Sequence, residues 1–152
     1  MTDVTPRTRL VLDDLLCFAF HSTAQAIGRA NKPMLDKIGL TYPQYLAMVV
    51  LWAEDNQTVG RIGEKLLLES NTLTPLLKRL EAAGYVRRSR DTADERQVRI
   101  SLTDQGRALH DKACALHPEW IGQAFGDDKE AVRDLTKRVL AVRNRLVSAD
   151  QG

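Results

Sequence analysis

The stretch that decides the fold runs Ser70-Asn-Thr-Leu-Thr-Pro-Leu-Leu-Lys-Arg-Leu-Glu-Ala-Ala-Gly84 and continues Tyr85-Val-Arg-Arg-Ser-Arg-Asp-Thr-Ala-Asp-Glu-Arg-Gln-Val-Arg-Ile-Ser-Leu-Thr103. Leu73, Leu76, Leu77 and Leu80 recur at i, i+3, i+4 and i+7, the stripe of an amphipathic helix. Ser70 is a suitable cap for it and Gly84 a suitable left-handed stop. Beyond Gly84 the period changes. Val86 to Arg90 and Gln97 to Leu102 read as strands, the second alternating Val98, Ile100 and Leu102 with polar residues. The polar connector Asp91 to Arg96 joins them into a β-hairpin.

Upstream, Thr58 can cap a helix carrying Val59, Ile62 and Leu66 on one face. Thr41-Tyr42-Pro43 reads as a further helix start, running through Trp52 to about Ala53, with Asp55-Asn56 as its end. Lys32 to Ile38, closed by Gly39, is a short helical turn. From Leu10 to Phe20 only Asp13 and Asp14 interrupt an apolar run, so this segment is expected to be buried on several sides. Downstream, Thr103 can cap a long helix expected to end near Pro118. A last helix covers about Asp128 to Leu146, with Val132, Leu135, Val139, Val142 and Leu146 in a heptad-like seam.

The expected fold is mainly α with a small β-hairpin wing. It forms one domain over residues 1–152, with a winged helix-turn-helix at 41–103 and its wing at 86–102. Helices over 10–38 and 104–148 flank that module. Their apolar surfaces either cover the domain's own core or pair with a second copy by two-fold symmetry, and a homodimer is the more economical use of so much apolar helix.

Composition narrows the function classes. The 152 residues are 43% hydrophobic and 28% charged, as in one ordinary folded domain. With 22 Lys and Arg against 20 Asp and Glu the formal net charge is +2, which excludes a basic tail or low-complexity disorder. The longest apolar run is Leu46 to Ala53, far short of the ~20 residues of a membrane span. Met1-Thr2-Asp3 opens without a secretory pattern, so a cytoplasmic location is expected. The average hides a focus of charge. Residues 78–103 hold seven basic groups (Lys78, Arg79, Arg87, Arg88, Arg90, Arg96 and Arg99) against four acidic ones, while the rest of the chain is near neutral. Charge gathered on a helix and hairpin is the footprint of a nucleic-acid reader.

Opposite the leucines of the 70–83 helix stand Asn71, Thr72, Pro75 and Arg79, and Thr72, Pro75 and Arg79 share one stripe. Ser70 and the other short polar groups at the helix start can reach base edges or phosphates, and Pro75 and the threonine methyls can meet thymine methyls. Lys78 and Arg79 lie further along, suited to flanking phosphates or a guanine. At the hairpin tip Arg96 can enter a narrow minor groove, with Asp94 orienting it; the alternative is an ion pair on a solvated turn.

Gly39-Leu-Thr-Tyr-Pro-Gln-Tyr-Leu46, the Ser70 to Glu81 run, Asp94-Glu-Arg-Gln-Val98 and Leu102-Thr103 together resemble the MarR family of repressors. They are most similar to its organic-hydroperoxide-responsive branch, which also has a Leu-Cys-Phe segment, here Leu16-Cys17-Phe18. The resemblance covers about residues 10–112. It implies a homodimeric repressor on pseudo-palindromic double-stranded DNA, released when the first-helix cysteine is oxidised by an organic hydroperoxide to a sulfenic acid that then reacts with a thiol.

By composition alone Cys17, among Leu16, Phe18 and Phe20, reads first as an inert core thiol, with a reactive thiol as the alternative. The resemblance makes it the sensor and Tyr42 one of its hydroxyl donors. His21 and Asn31 stand where the family usually has tyrosines. His21, four residues after Cys17, can replace a donor or face outward. Cys114 is either a resolving thiol or a packed helix cysteine.

His110, Cys114 and His117 are spaced i, i+4 and i+7, but His110 and His117 lie ~10.5 Å apart along a helix axis, too far for one ion. No Cys-x-x-Cys pair, Gly-rich phosphate loop or His-Glu-x-x-His run is present. No metal, cofactor or enzymatic activity is therefore expected. A repressor released by a small apolar or phenolic ligand is the alternative to the thiol switch.

Overall fold

The computed structural model describes residues 10–150; the opening Met1-Thr2-Asp3 lies outside them. The elements follow in the order α1 (Leu16–Ala30), α2 (Lys32–Ile38), α3 (Tyr42–Ala53), β1 (Gln57–Thr58), α4 (Val59–Leu66), α5 (Ser70–Ala82), β2 (Val86–Arg90), β3 (Val98–Leu102), α6 (Asp104–Phe125) and α7 (Lys129–Ala149). The helix-turn-helix is α4 and α5, and the wing is β2 and β3. The expected fold class holds.

Local signals place most boundaries. Thr41 closes a full capping box at the start of α3: its side chain accepts from the Gln44 N–H, while the Gln44 side chain accepts from the Thr41 N–H. Thr58 and Thr103 cap α4 and α6 by accepting from Arg61 and Gly106. Gly39 and Gly84 take φ values of +69° and +86°, as their stop positions require.

The core gathers between α2, α3, α4, α5, the root of the wing and the first half of α6. Met48, Leu51, Ile62, Leu73, Leu77, Leu80 and Ile100 are fully enclosed there. Each large aliphatic side chain so buried contributes about 1.5–3 kcal/mol.

Five local expectations are corrected. Ser70 is the first residue of α5, and extended Glu69 is its cap residue without a side-chain bond. The preceding Leu67 turns left-handed at φ +55°, and the Glu69 carbonyl takes the Thr72 and Leu73 N–H groups. The wing sheet has a third strand. β1 pairs with β3 through Gln57 opposite Ile100, giving the order β1-β3-β2; a two-residue strand carries no periodicity that a sequence could display. Gln97 is left out of β3 because its N–H is spent on the Asp94 carbonyl in the turn.

Pro118 does not end α6, which continues to Phe125. Leu116 and Trp120, on either side of it, both pack on the core and hold the helix across the missing hydrogen bond. Finally, Leu10 to Phe20 is not one buried helix. A single 3-10 turn over Leu12–Asp14 precedes α1, and neither it nor α1 buries a residue within the chain. α7 buries none either, and Leu135, Val139, Leu140 and Leu146 of its apolar positions are exposed. Among the described residues no helix is long and apolar enough to cross a membrane.

Candidate nucleic-acid interface

The candidate reading head is built from the turn between α4 and α5. Gly63 sits so close to it that a Cβ there would stand 2.7 Å from the Leu68 carbonyl oxygen. The Leu68 N–H donates back to the Gly63 carbonyl at 2.9 Å, fixing the turn. With Leu73, Leu76, Leu77 and Leu80 buried, α5 has one outward face, and Asn71, Thr72, Pro75, Lys78 and Arg79 are all exposed on the helix. This is the arrangement the leucine stripe predicted.

The wing tip is organised by Asp91, whose side chain is buried. Its Oδ1 accepts from the Ala93 and Asp94 N–H groups at 2.7 and 3.0 Å, and its Oδ2 pairs with the Arg99 guanidinium. Arg99 in turn donates to the Asn56 carbonyl at 2.8 Å, tying the tip to the turn before β1. The N–H groups of Asp94 and Ala93, and then Arg99, hold the Asp91 carboxyl below its ordinary range. Asp94 accepts from the Arg96 N–H at 3.1 Å and lies 3.5 Å from its Nε, while the Arg96 side chain stays 94% exposed. The two tip residues singled out in the sequence are thus brought together, with the cation projecting outward.

Between α4, α5 and the wing lies an open concavity of about 770 Å³. Ser70 and Thr74 of α5, Arg61 and Lys65 of α4, and Arg88 and Arg96 of the wing line it. Sequence reasoning did not single out Arg61, Lys65 and Thr74 as candidate site residues, and counted Arg88 only within the focus of charge. Only the polar face of α4 hinted at the first two; the wing's return over the helices brings in the others.

The cysteine region is a separate place. Cys17 is an exposed free thiol on the second residue of α1, Tyr42 is 40% exposed at the start of α3, and His21 is exposed. Among the described residues no hydrogen bond joins Cys17 to Tyr42 or His21 within the chain. Asn31 is buried at the junction of α1 and α2, and its side-chain amide has no protein partner.

Cys114 is also a free thiol, and its Sγ lies 3.3 Å from His110 Nε2. His117 instead meets the Tyr45 hydroxyl through Nδ1 at 3.2 Å, so the two histidines of α6 are engaged separately. Burial pushes the Tyr45 phenol above its ordinary pKa, and the nearby Cys114 and Tyr42 add to that. Among the described residues no group of three or more His, Cys, Asp or Glu is arranged to hold a metal ion.

Comparisons with known proteins point the same way as this geometry. The family described as transcriptional regulator SarA/Rot matches residues 29–113. The HTH-type transcriptional regulator TtmR of Methylorubrum extorquens is 50% identical over 135 residues, covering 89% of this chain and 69% of that protein. The organic hydroperoxide resistance transcriptional regulator of Bacillus subtilis is 40% identical over 140 residues, 92% of each chain. The crystal structure of AbfR of Staphylococcus epidermidis superposes with a TM-score of 0.75 at 34% identity, covering 88% of this chain and 91% of that one. With a leucine-backed helix and a charged hairpin disposed as described, the chain belongs to the MarR/SarA-type winged-helix transcriptional regulators, a family of DNA-binding proteins and not of enzymes.

Proposed function

We propose that this regulator is a homodimeric repressor that releases its operator when an organic hydroperoxide oxidises Cys17. The observation that carries the reading is an exposed thiol on α1, a helix that buries none of its apolar residues within its own chain. A second copy packed on α1 and α7 would cover those faces and enclose Cys17 in apolar surroundings that admit an alkyl peroxide. A relative 40% identical bears the name of an organic hydroperoxide resistance regulator. AbfR, similar in fold and sequence, is described in reduced, overoxidised and disulfide forms, the first two bound to DNA.

The chemistry balances simply. The Cys17 thiolate attacks the distal peroxide oxygen; the O–O bond breaks, sulfur loses two electrons, and the alkoxide leaves and is protonated to the alcohol. The sulfenic acid then condenses with a thiol, releasing water and forming a disulfide. Tyr42 and His21 are the donors proposed for the thiolate and sulfenate, and Cys114 or a small thiol the resolving partner. No metal or cofactor enters the scheme.

On DNA, the outward face of α5 reads the major groove through Ser70, Asn71, Thr72 and Pro75. Lys78 and Arg79 hold flanking phosphates, and Arg96, steadied by Asp94, enters the minor groove. The two copies of α5 must stand about 34 Å apart to meet successive major grooves, so a small change in packing around a modified Cys17 removes many contacts at once.

The test is release of bound DNA by cumene hydroperoxide from wild type and Cys17→Ser, with protein mass measured without and with reductant. Release from wild type alone, with a sulfenate, mixed disulfide or 17–114 bridge, is the expected result. Equal release from the serine variant ends the thiol reading, and release only by an aromatic acid would put a small-ligand switch in its place.

A further inference from the structure

The concavity between α4, α5 and the wing has a counter-ion of its own. Arg61 and Lys65 are four residues apart on α4 and project on one face. Both turn toward the same acceptor, Glu54 Oε2, at 3.5 Å from Arg61 Nη2 and 3.1 Å from Lys65 Nζ. Glu54 follows α3 directly and is not among the lining residues. The Lys65 hydrogen bond, and then the charges of Arg61 and Lys65, hold its carboxyl below the ordinary range, so it is fully ionised at neutral pH.

The walls themselves carry four cations, Arg61, Lys65, Arg88 and Arg96, against one carboxylate, Glu64. Ser70 and Thr74 add hydroxyl donors. Arg88 brings an Nε that is shielded from solvent with no acceptor in the chain. Cations and hydroxyl donors around one open groove suit a run of phosphates.

We propose that Glu54 sets how strongly this groove holds the sugar–phosphate strand of bound DNA. In the free protein Glu54 neutralises part of the charge of Arg61 and Lys65. A phosphate arriving in the groove shares those cations with it. Glu54 thereby weakens sequence-independent attraction and leaves discrimination to the base contacts of α5. The inference rests on the reading head of α5 and wing meeting DNA as proposed above, and deepens it by naming a residue outside that head.

The test uses the full-length protein and a mixed-sequence duplex, with affinity measured as a function of salt. The side chain of Glu54 is exposed and makes no bond to the backbone, so Glu54→Gln leaves the fold intact, which circular dichroism checks. The variant should bind more tightly than wild type. Its log K against log salt should be steeper by about 0.9 per protomer, so that its advantage grows about 3.5-fold per protomer between roughly 200 and 50 mM salt. In a background carrying Arg61→Gln and Lys65→Gln, adding Glu54→Gln should change the slope far less. An unchanged or weaker affinity for Glu54→Gln overturns the inference. An equal gain with and without the two cations reduces Glu54 to a general charge effect and also overturns it. Failure of wild type to bind any duplex would instead overturn the DNA reading on which it rests.

Discussion

Replacing buried Gly106 by alanine should destabilise this protein far more than the same change at an exposed glycine of its helices. Gly106 lies in the first turn of α6, where the helix leaves the wing. A Cβ there would stand 2.1 Å from the Tyr85 carbonyl oxygen and 3.3 Å from Leu102 Cδ2. Relieving the first contact to an ordinary separation requires a backbone shift of roughly 1 Å, and overpacking of this kind costs about 1–3 kcal/mol. The same shift strains two hydrogen bonds. The Trp52 indole donates to the Gly106 carbonyl at 2.9 Å, and the Thr103 N–H donates to the Tyr85 carbonyl at 3.1 Å. Each is worth about 1 kcal/mol.

Alanine's better helix propensity returns about 1 kcal/mol, leaving a net loss of about 2–4 kcal/mol. That is a large part of the 5–15 kcal/mol that holds a typical domain. Urea unfolding followed by circular dichroism at fixed protomer concentration should show a midpoint lower by about 1 M or more. Gly60→Ala is the matched control. Nothing stands within 4 Å of the Cβ it would add, so it should be stabilising by about 0.5–1 kcal/mol. If the two variants unfold within about 0.5 kcal/mol of each other, a margin within ordinary surface-substitution effects, the close packing of α6 on the wing is refuted.

The remaining predictions are briefer. Lys78→Ala should lower the salt slope of DNA binding by about 0.9 per protomer without changing sequence preference, as measured on two unrelated duplexes. Leu135→Glu, on the exposed seam of α7, should convert the proposed dimer to a folded monomer by light scattering, since that side chain is 53% exposed in the single chain and costs little there. Asp91 has a depressed pKa when folded, so its stabilisation is present above the unfolded value of about 3.9 and is lost as pH falls through the folded value. The unfolding midpoint of wild type should therefore fall more steeply with acid than that of Asp91→Asn, which starts lower at neutral pH.

How much of this was legible beforehand depends on the range of the interaction. The leucine stripe of α5, the Thr41 and Thr58 caps, the stops at Gly39 and Gly84 and the hairpin of β2 and β3 all rest on residues within one or two turns of each other. Each can be read in order along the chain, and so could the outward set of Asn71, Thr72, Pro75, Lys78 and Arg79, because a helix with one buried face leaves its other face no choice. The focus of charge between Lys78 and Arg99 needed only counting.

The sequence by itself therefore determined a helix-turn-helix with a charged wing and two apolar flanking helices. Only the tertiary structure decided what meets across long separations. It pairs Gln57 with Ile100, lays Gly106 against Tyr85, and carries α6 past Pro118 because Leu116 and Trp120 are held by the core. It also brings Glu54 to Arg61 and Lys65, and His117 to Tyr45, while leaving α1 and α7 uncovered. Periodicity and capping are local energies, paid residue by residue along the chain. Close approach and charge pairing depend on where the folded backbone returns, and no local pattern records that.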